Sequence, residues 1–421
     1  MDDGALNWRS DMMQVRPILA ALRRHKAATI LIVLQIALTL AIVSNALFIV
    51  QTRIVHLSRP TGVDEAHLFV IKNEWVGKLD AAQVDAQMRA DLAMLRNLPG
   101  IRDAFASEAY PLGGGWGWLE SIKWQPEKQR HQLAVIYFAD EHALATFGIT
   151  LIAGRNFHAD EIGRIGLYDT AAPPVVIITR DLAQKLFPDG SALGRMVYLA
   201  GGPTTIIGIV DRLQGPFAGS TTRSIDDDQI LVPAYLDDPA RCDYLVRAQP
   251  GQLATAMRAA SKALLALNRM RVINPGAGMI ALTDARAQSY AGDRGVAIMM
   301  GVVCLMLLLA TGGGIVCLSS FWVSQRRRQI GIRRALGATR RDILRYFQTE
   351  NFLIVSGGIV LGSLLGVAAN LTLMTYWELP RMPLGVLLLG AVLLWLLGQL
   401  AVLGPARRAA AVPPVEATRS L

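Results

Sequence analysis

Four long apolar runs divide the chain: residues 27–50, 295–323, 351–376 and 384–403. A helix needs roughly 20 apolar residues to cross a hydrocarbon core of about 30 Å, so each run is expected to form a transmembrane helix. The first, AATILIVLQIALTLAIVSNALFIV, carries no charge. It is longer than the roughly 7–15-residue h-region of a cleaved signal peptide and reads as an uncleaved anchor. The second outruns the bilayer at about 1.5 Å per residue, so it should tilt or project. Gly312, Gly313 and Gly314 mark a weak point where it can bend. Pro380 and Pro383 punctuate a tight turn between the third and fourth runs, beside Tyr376 and Trp377, which suit a membrane interface.

Between the first two runs the pattern changes. Val84, Met88, Leu92 and Leu95 fall at helical spacing within 80–98, which ends at Pro99-Gly100. Residues 133–138 and 175–179 are short β-rich runs, and 181–187 is a short helix stopped by Pro188-Asp189-Gly190. Residues 197–199 and 204–210 flank Gly201-Gly202-Pro203 as a hairpin. Residues 252–267 form an amphipathic helix, and 272–282 has strand character around Pro275-Gly276. The expected fold is an α-helical membrane protein with four transmembrane helices and a large α+β extracytoplasmic domain of two lobes between helices one and two.

Gly358, Gly362 and Gly366 form a GxxxGxxxG row in the third run. Glycines four apart share a helix face and admit another backbone. The row is expected to contact span four or a second subunit, with ordinary packing inside one chain as the alternative.

Composition agrees: 52% of residues are hydrophobic and 18% charged, against roughly 25% charged in soluble domains. The net charge of +9 is unevenly placed. Residues 1–26 carry five Lys/Arg against three acids, 326–345 eight Arg against Asp342, and 404–421 three Arg against Glu416. The long segment 51–294 balances 25 basic against 26 acidic residues. Basic stretches beside apolar helices follow the positive-inside rule, which puts 1–26, 324–350 and 404–421 in the cytoplasm and 51–294 outside. A nucleic-acid partner would instead need a basic stripe on a folded domain, and none is expected.

Candidate chemistry is sparse. The sequence contains no HExxH, GxSxG, CxxC or GxxxxGK[ST] motif. His131 and His142 lack acidic partners at ligand spacing, so a surface or packing role is expected. Asp226, Asp227 and Asp228 lack the spaced ligands of a calcium loop and read as a solvated loop. The loop Gly113-Gly114-Gly115-Trp116-Gly117-Trp118 offers its tryptophans either to a partner or to the domain core. The three cysteines, Cys242, Cys304 and Cys317, form no disulfide or metal pattern. No span interior holds Asp, Glu, Lys or Arg, which argues against a polar conduction path.

The richest segment is QRRRQIGIRRALGATRRDILRYFQTE, residues 325–350. Ile330, Ile332 and Leu336 interleave with arginines before Gly337, and Thr339 with Asp342 resembles a capping box opening the next helix. Such a helix meets either lipid headgroups or a cytoplasmic protein.

This segment resembles the cytoplasmic loop of MacB/FtsX-type ABC transporter permeases. The run PARRAA (405–410) with Pro414, Val415, Glu416 and Ala417 is similar to the family's ending. ATFGITLIAGRNF (145–157), VVIITRDLAQKLFPDGSALGRMV (175–197) and TTIIGIVDRL (204–213) look like the MacB-type periplasmic core domain. The resemblance implies a non-catalytic inner-membrane permease subunit for efflux, with ATP and Mg bound in a partner ATPase and no cofactor in this chain. Implied partners are a cytoplasmic ABC ATPase, a second permease (the same chain or a paralogue), a periplasmic membrane-fusion protein and the lipid bilayer. MacB carries its ATPase ahead of its first span, where this sequence has 26 residues, so the ATPase is expected on a separate polypeptide. The coupling helix falls on Gly331, Ile332, Arg333, Arg334, Ala335, Leu336, Gly337 and Ala338. Ile332 and Leu336 are expected in an apolar groove of the ATPase, and Arg333 and Arg334 at its polar rim. The alternative is an FtsX-like regulator that transmits force to a cell-wall enzyme without moving cargo.

Overall fold

The computed structural model describes residues 26–77, 80–113, 118–125, 131–166, 169–170, 172–190, 192–217, 225–236, 243–377 and 381–411. They divide into two compact units, residues 59–292 and the helical remainder on either side. The N-terminal segment, Gly114–Gly117, Cys242, Pro380 and Pro414–Ala417 lie outside the described residues, as do the side chains of Tyr376 and Trp377.

The helical unit contains four helices long and apolar enough to cross a membrane. They are α1 (Lys26–Leu57), α7 (Ala291–Gln325), α9 (Arg340–Trp377) and α10 (Leu384–Ala410), with the short α8 (Arg327–Ala335) between α7 and α9. Each long helix continues past its apolar run. As the Thr339–Asp342 signal predicts, α9 starts in the arginine-rich loop and runs straight into its apolar stretch, and α10 runs through Pro405 to Ala410. The segment placed in a cytoplasmic tail thus begins as helix, with Ala406 and Ala409 fully buried.

The glycine row of α9 packs inside the chain, the alternative reading, mainly against α1, with Gly366 also meeting Leu387 of α10. A Cβ at Gly358 would lie 2.7 Å from Ile36 Cβ, and one at Gly366 would lie 3.2 Å from Ser44 Oγ. Lipid offers little hydrophobic drive for helix association, so close packing and interhelical hydrogen bonds carry it. Asn45 Nδ2 donates to the Gly366 carbonyl at 3.1 Å, and Thr39 and Thr311 hydroxyls meet at 2.8 Å. The Gly312–Gly314 stretch, expected as a weak point, lies inside continuous α7. There Gly314 admits Gln35, and Gly312 admits Leu397.

In the outer domain, β1 (Leu68–Ile71), β3 (Ile101–Ser107), β12 (Asp243–Ala248) and β14 (Met279–Ala281) form an antiparallel sheet ordered β14-β1-β12-β3. Two short strands, β2 (Glu74–Trp75) and β13 (Arg271–Val272), pair separately. A second, mixed sheet is ordered β4-β5-β11-β8-β10-β6. Its strands are β4 (Trp118–Ile122), β5 (Gln132–Ala139), β6 (Leu151–Gly154), β8 (Val175–Thr179), β10 (Gly202–Val210) and β11 (Gln229–Leu236). Two short strands extend it, β7 (Gly163–Ile165) on β11 and β9 (Met196–Leu199) on β10. The β9–β10 pair is the expected hairpin, with Leu199 opposite Gly202.

Alternation of side chains along a strand builds three cores from these sheets. Phe69 and Ile71 of β1 pack under α2 (Ala81–Arg96) and α5 (Leu253–Leu267), against Met88, Leu92 and Leu264. Leu68 and Val70, one residue out of step, turn to a central cluster with Tyr137, Ile177 and Leu231 of the mixed sheet. That central cluster also receives α3 (Ala143–Phe147). Val176, Ile178, Ile136 and Ile230 face the opposite way, where α4 (Arg180–Leu186) supplies Leu182 and Leu186. Central strands buried on both faces read as continuous apolar runs, which is how 133–138 and 175–179 appear in the sequence. The stretch 272–282 is not one strand: a turn at Gly276 (φ 87°) separates β13 from β14, and Leu282 opens α6 (Leu282–Ser289).

The acidic triplet is not a solvated loop. Asp226, Asp227 and Asp228 are all buried. Arg59 reaches Asp226 at 3.2 Å and also pairs with Asp227, while Lys185 Nζ donates to Asp228 at 2.6 Å. Burial holds the Asp228 carboxyl above its ordinary range even beside Lys185. Asp181 is raised too, by burial and by its hydrogen bond with Asp227.

Candidate functional site

The arginine-rich loop between α7 and α9 owes its shape to two local signals. Gly337 adopts φ 102°, a conformation costly for residues with a Cβ. The Ala338 amide donates to the Arg333 carbonyl and the Gly337 amide to the Arg334 carbonyl, the paired bonds of a Schellman ending for α8. Thr339 then caps α9: the Asp342 amide donates to Thr339 Oγ1 at 3.3 Å, and the Thr339 amide to Asp342 Oδ2 at 2.9 Å.

Those constraints give α8 two faces. Ile330 and Gly331 are buried, Ile330 against Ile343, Phe347, Ala406 and Ala409. On the other side Ile332 is 48% exposed and Leu336 83% exposed. Residues four apart share a helix face, so these two side chains make an apolar pair standing clear of the unit that carries them. Ala335 and Gly337 are exposed beside them, and Ala338 is half-buried.

The two arginines assigned to a partner's rim are engaged within the chain. Arg334 donates to the Ala410 carbonyl at 3.1 Å, and the Arg333 guanidinium lies 5.1 Å from the centre of the Tyr346 ring. The Arg334 contact ties α8 to the end of α10, a link invisible in sequence because 76 residues separate the two.

Sequence reasoning also missed Arg326 and Glu350. Arg326 Nη1 donates to both Glu350 oxygens, at 3.0 and 3.1 Å, and Glu350 is almost wholly buried. The available signal was one acid at the edge of an apolar run facing an arginine-rich loop.

Among the described residues the outer domain brings together no comparable site. His142 pairs with Asp103 at 2.9 Å. Among the described residues no group of three potential metal ligands converges. Trp118, from the glycine-rich loop, packs edge-on to Phe138 with ring centres 5.3 Å apart.

Comparison with known proteins matches both parts. Residues 29–264 match the family described as MacB-like periplasmic core domain, and 301–414 match the FtsX-like permease C-terminal domain. The macrolide export ATP-binding/permease protein MacB of Chromobacterium violaceum is 27% identical over 64% of this chain and 41% of its own length. The ABC transporter permease YknZ of Bacillus subtilis is 25% identical over 86% of both chains. The crystal structure of the periplasmic region of MacB from Actinobacillus actinomycetemcomitans overlaps 56% of this chain and 97% of its own, with 11% identity and a TM-score of 0.34. The chain thus spans about two fifths of the length of the MacB proteins it matches.

Proposed function

We propose that this chain, which belongs to the MacB/FtsX-type family of ABC transporter permeases, couples ATP hydrolysis by a docked ATPase to movement of its outer domain, for export. Its arginine-rich loop and both ends of the chain then lie in the cytoplasm, and residues 59–292 lie outside. ATP and Mg belong to the ATPase, a separate subunit, and a second permease completes the assembly.

One observation carries this reading. Ile332 and Leu336 project from a helix whose opposite face is locked by Ile330, the arrangement by which a short helix enters a groove. The neighbouring arginines are held by Tyr346 and Ala410, so contact with the ATPase rests on the apolar pair more than on charge. Two further facts support it. YknZ, matched over 86% of both lengths, is named a permease. Relatives named for macrolide and pyoverdine export match 64% and 67% of the chain. The MacB-type outer domain favours export over control of a cell-wall enzyme.

The test is Leu336→Asp. The variant is expected to insert and fold, because Leu336 touches little within the chain, and to lose the ATPase on co-purification. Retention of the ATPase, with unaltered ATP turnover, refutes the docking surface.

A further inference from the structure

Glu350 is the one carboxylate of α9 beyond its first turn. It is 2% exposed, inside the core shared by all four long helices. Its two oxygens accept from Arg326, whose guanidinium also lies 6.0 Å from the Trp322 ring centre. The next residue, Asn351, is buried with its amide nitrogen unpartnered. A small cavity there is lined by Ile32, Ser319, Trp322 and Val402 together with Glu350 and Asn351. Apolar side chains of similar volume often stabilise a core as well as a buried ion pair does, so stability alone does not account for this one. A buried ion pair retained between two elements more often fixes their arrangement than adds stability.

The place of the pair suggests its task. Arg326 is the cap residue at the start of α8, and α8 joins α9 at its other end through the Gly337 turn. Ile330 packs with Ile343 and Phe347 of α9 and Arg333 lies on Tyr346, so α8 also meets α9 along its middle. The Arg326–Glu350 pair adds a charged link at the start of α8, further along α9 than any of these contacts, and makes α8 a strut fixed at both ends. We propose that Arg326 and Glu350 are positioning residues that transmit displacement of α8, loaded through Ile332 and Leu336, to α9. The inference rests on the docking proposed above but adds the route by which docking moves the membrane helices.

The experiment uses the full chain assembled with its ABC ATPase in lipid nanodiscs. It measures ATPase retention, melting temperature and the ATP turnover stimulated by the permease for Glu350→Gln, Arg326→Gln and their combination. Arg326→Lys, which keeps one charged nitrogen for the two oxygens, is expected to restore much of the turnover that Arg326→Gln loses, and a loss as large as that of Arg326→Gln counts against the pair. For the other variants the expected result is wild-type retention with stimulated turnover reduced about fivefold or more, within the usual range of coupling between sites. The combined variant should be no worse than either single one, since both remove the same link. Wild-type turnover in Glu350→Gln, additive losses in the combination, or turnover falling only together with retention and melting temperature would each overturn the proposal. Leu336→Asp in the same assay separates the two claims: its failure to release the ATPase refutes the docking surface, whereas normal turnover in Glu350→Gln refutes the strut.

Discussion

Gly362 of α9 rests against the backbone of Ala37 in α1: a Cβ on Gly362 would fall 2.8 Å from the Ala37 carbonyl oxygen and 2.9 Å from its Cα. Backbone cannot yield as a flexible side chain can. Gly362→Val is therefore expected to force the helices apart and cost about 1–3 kcal/mol, in the range of overpacked cores. Gly357, five positions earlier, has nothing within 4 Å of the place a Cβ would take, and Gly357→Ala should be neutral or gain about 0.5–1 kcal/mol. Thermal melting of the solubilised chain distinguishes the two.

The two isoleucines of α8 should behave oppositely. Ile330 is 5% exposed and Ile332 48% exposed. Ile330→Ala is expected to lose about 2–5 kcal/mol through the cavity it leaves. Ile332→Ala should change stability by less than about 0.5 kcal/mol while weakening ATPase retention. Equal destabilisation by both would contradict the two-faced helix.

In the outer domain, Arg271 and Asp91 form an ion pair in which both side chains are 0% exposed. Tyr244 Oη and Gln87 Nε2 donate to the same carboxylate at 2.6 and 2.8 Å, and the Trp75 ring lies 4.1 Å from the guanidinium. Asp91→Ala strands a buried cation and is expected to cost about 3–5 kcal/mol. Hydrogen exchange in β1, β12 and α2 of the full chain should accelerate together. Unchanged protection there would mean the pair is dispensable.

Glu108 follows β3 and is buried, which raises its carboxyl from 4.5 to about 8, with nearby Asp243 adding to the rise. The folded chain thus holds a proton that the unfolded chain releases above pH 4.5. This contribution to stability is complete below that pH and is lost as pH climbs to about 8. Outer-domain stability should therefore decline across this window, and Glu108→Gln should flatten the slope. A slope unchanged by that substitution would place its origin elsewhere.

Local signals in the sequence were reliable guides. Apolar length marked the membrane helices, the helical spacing of Val84, Met88, Leu92 and Leu95 marked α2, and residues 175–179 appear as β8 without adjustment. What escaped depends on partners distant along the chain. Asp226 and Asp227 look like a solvated loop until Arg59, more than 160 residues earlier, folds onto them. The glycine row of α9 declared a close contact but could not name α1, because small residues specify a distance and not a partner. The helix start at Thr339 and Asp342 was legible, but Glu350 fell just before the apolar run at 351, where charge is ordinary, and its partner Arg326 lies 24 residues earlier on another helix.

One pairing in the outer domain has a wider consequence. Its first strand and its last are ladder neighbours, with Phe69 opposite Ala281. The domain therefore starts and finishes at adjoining points, as inserted domains commonly do. A module attached in this way is a cassette: a relative's domain can be grafted in its place through two closely spaced seams, and a chimera keeping those seams would test which half of the protein sets its specificity.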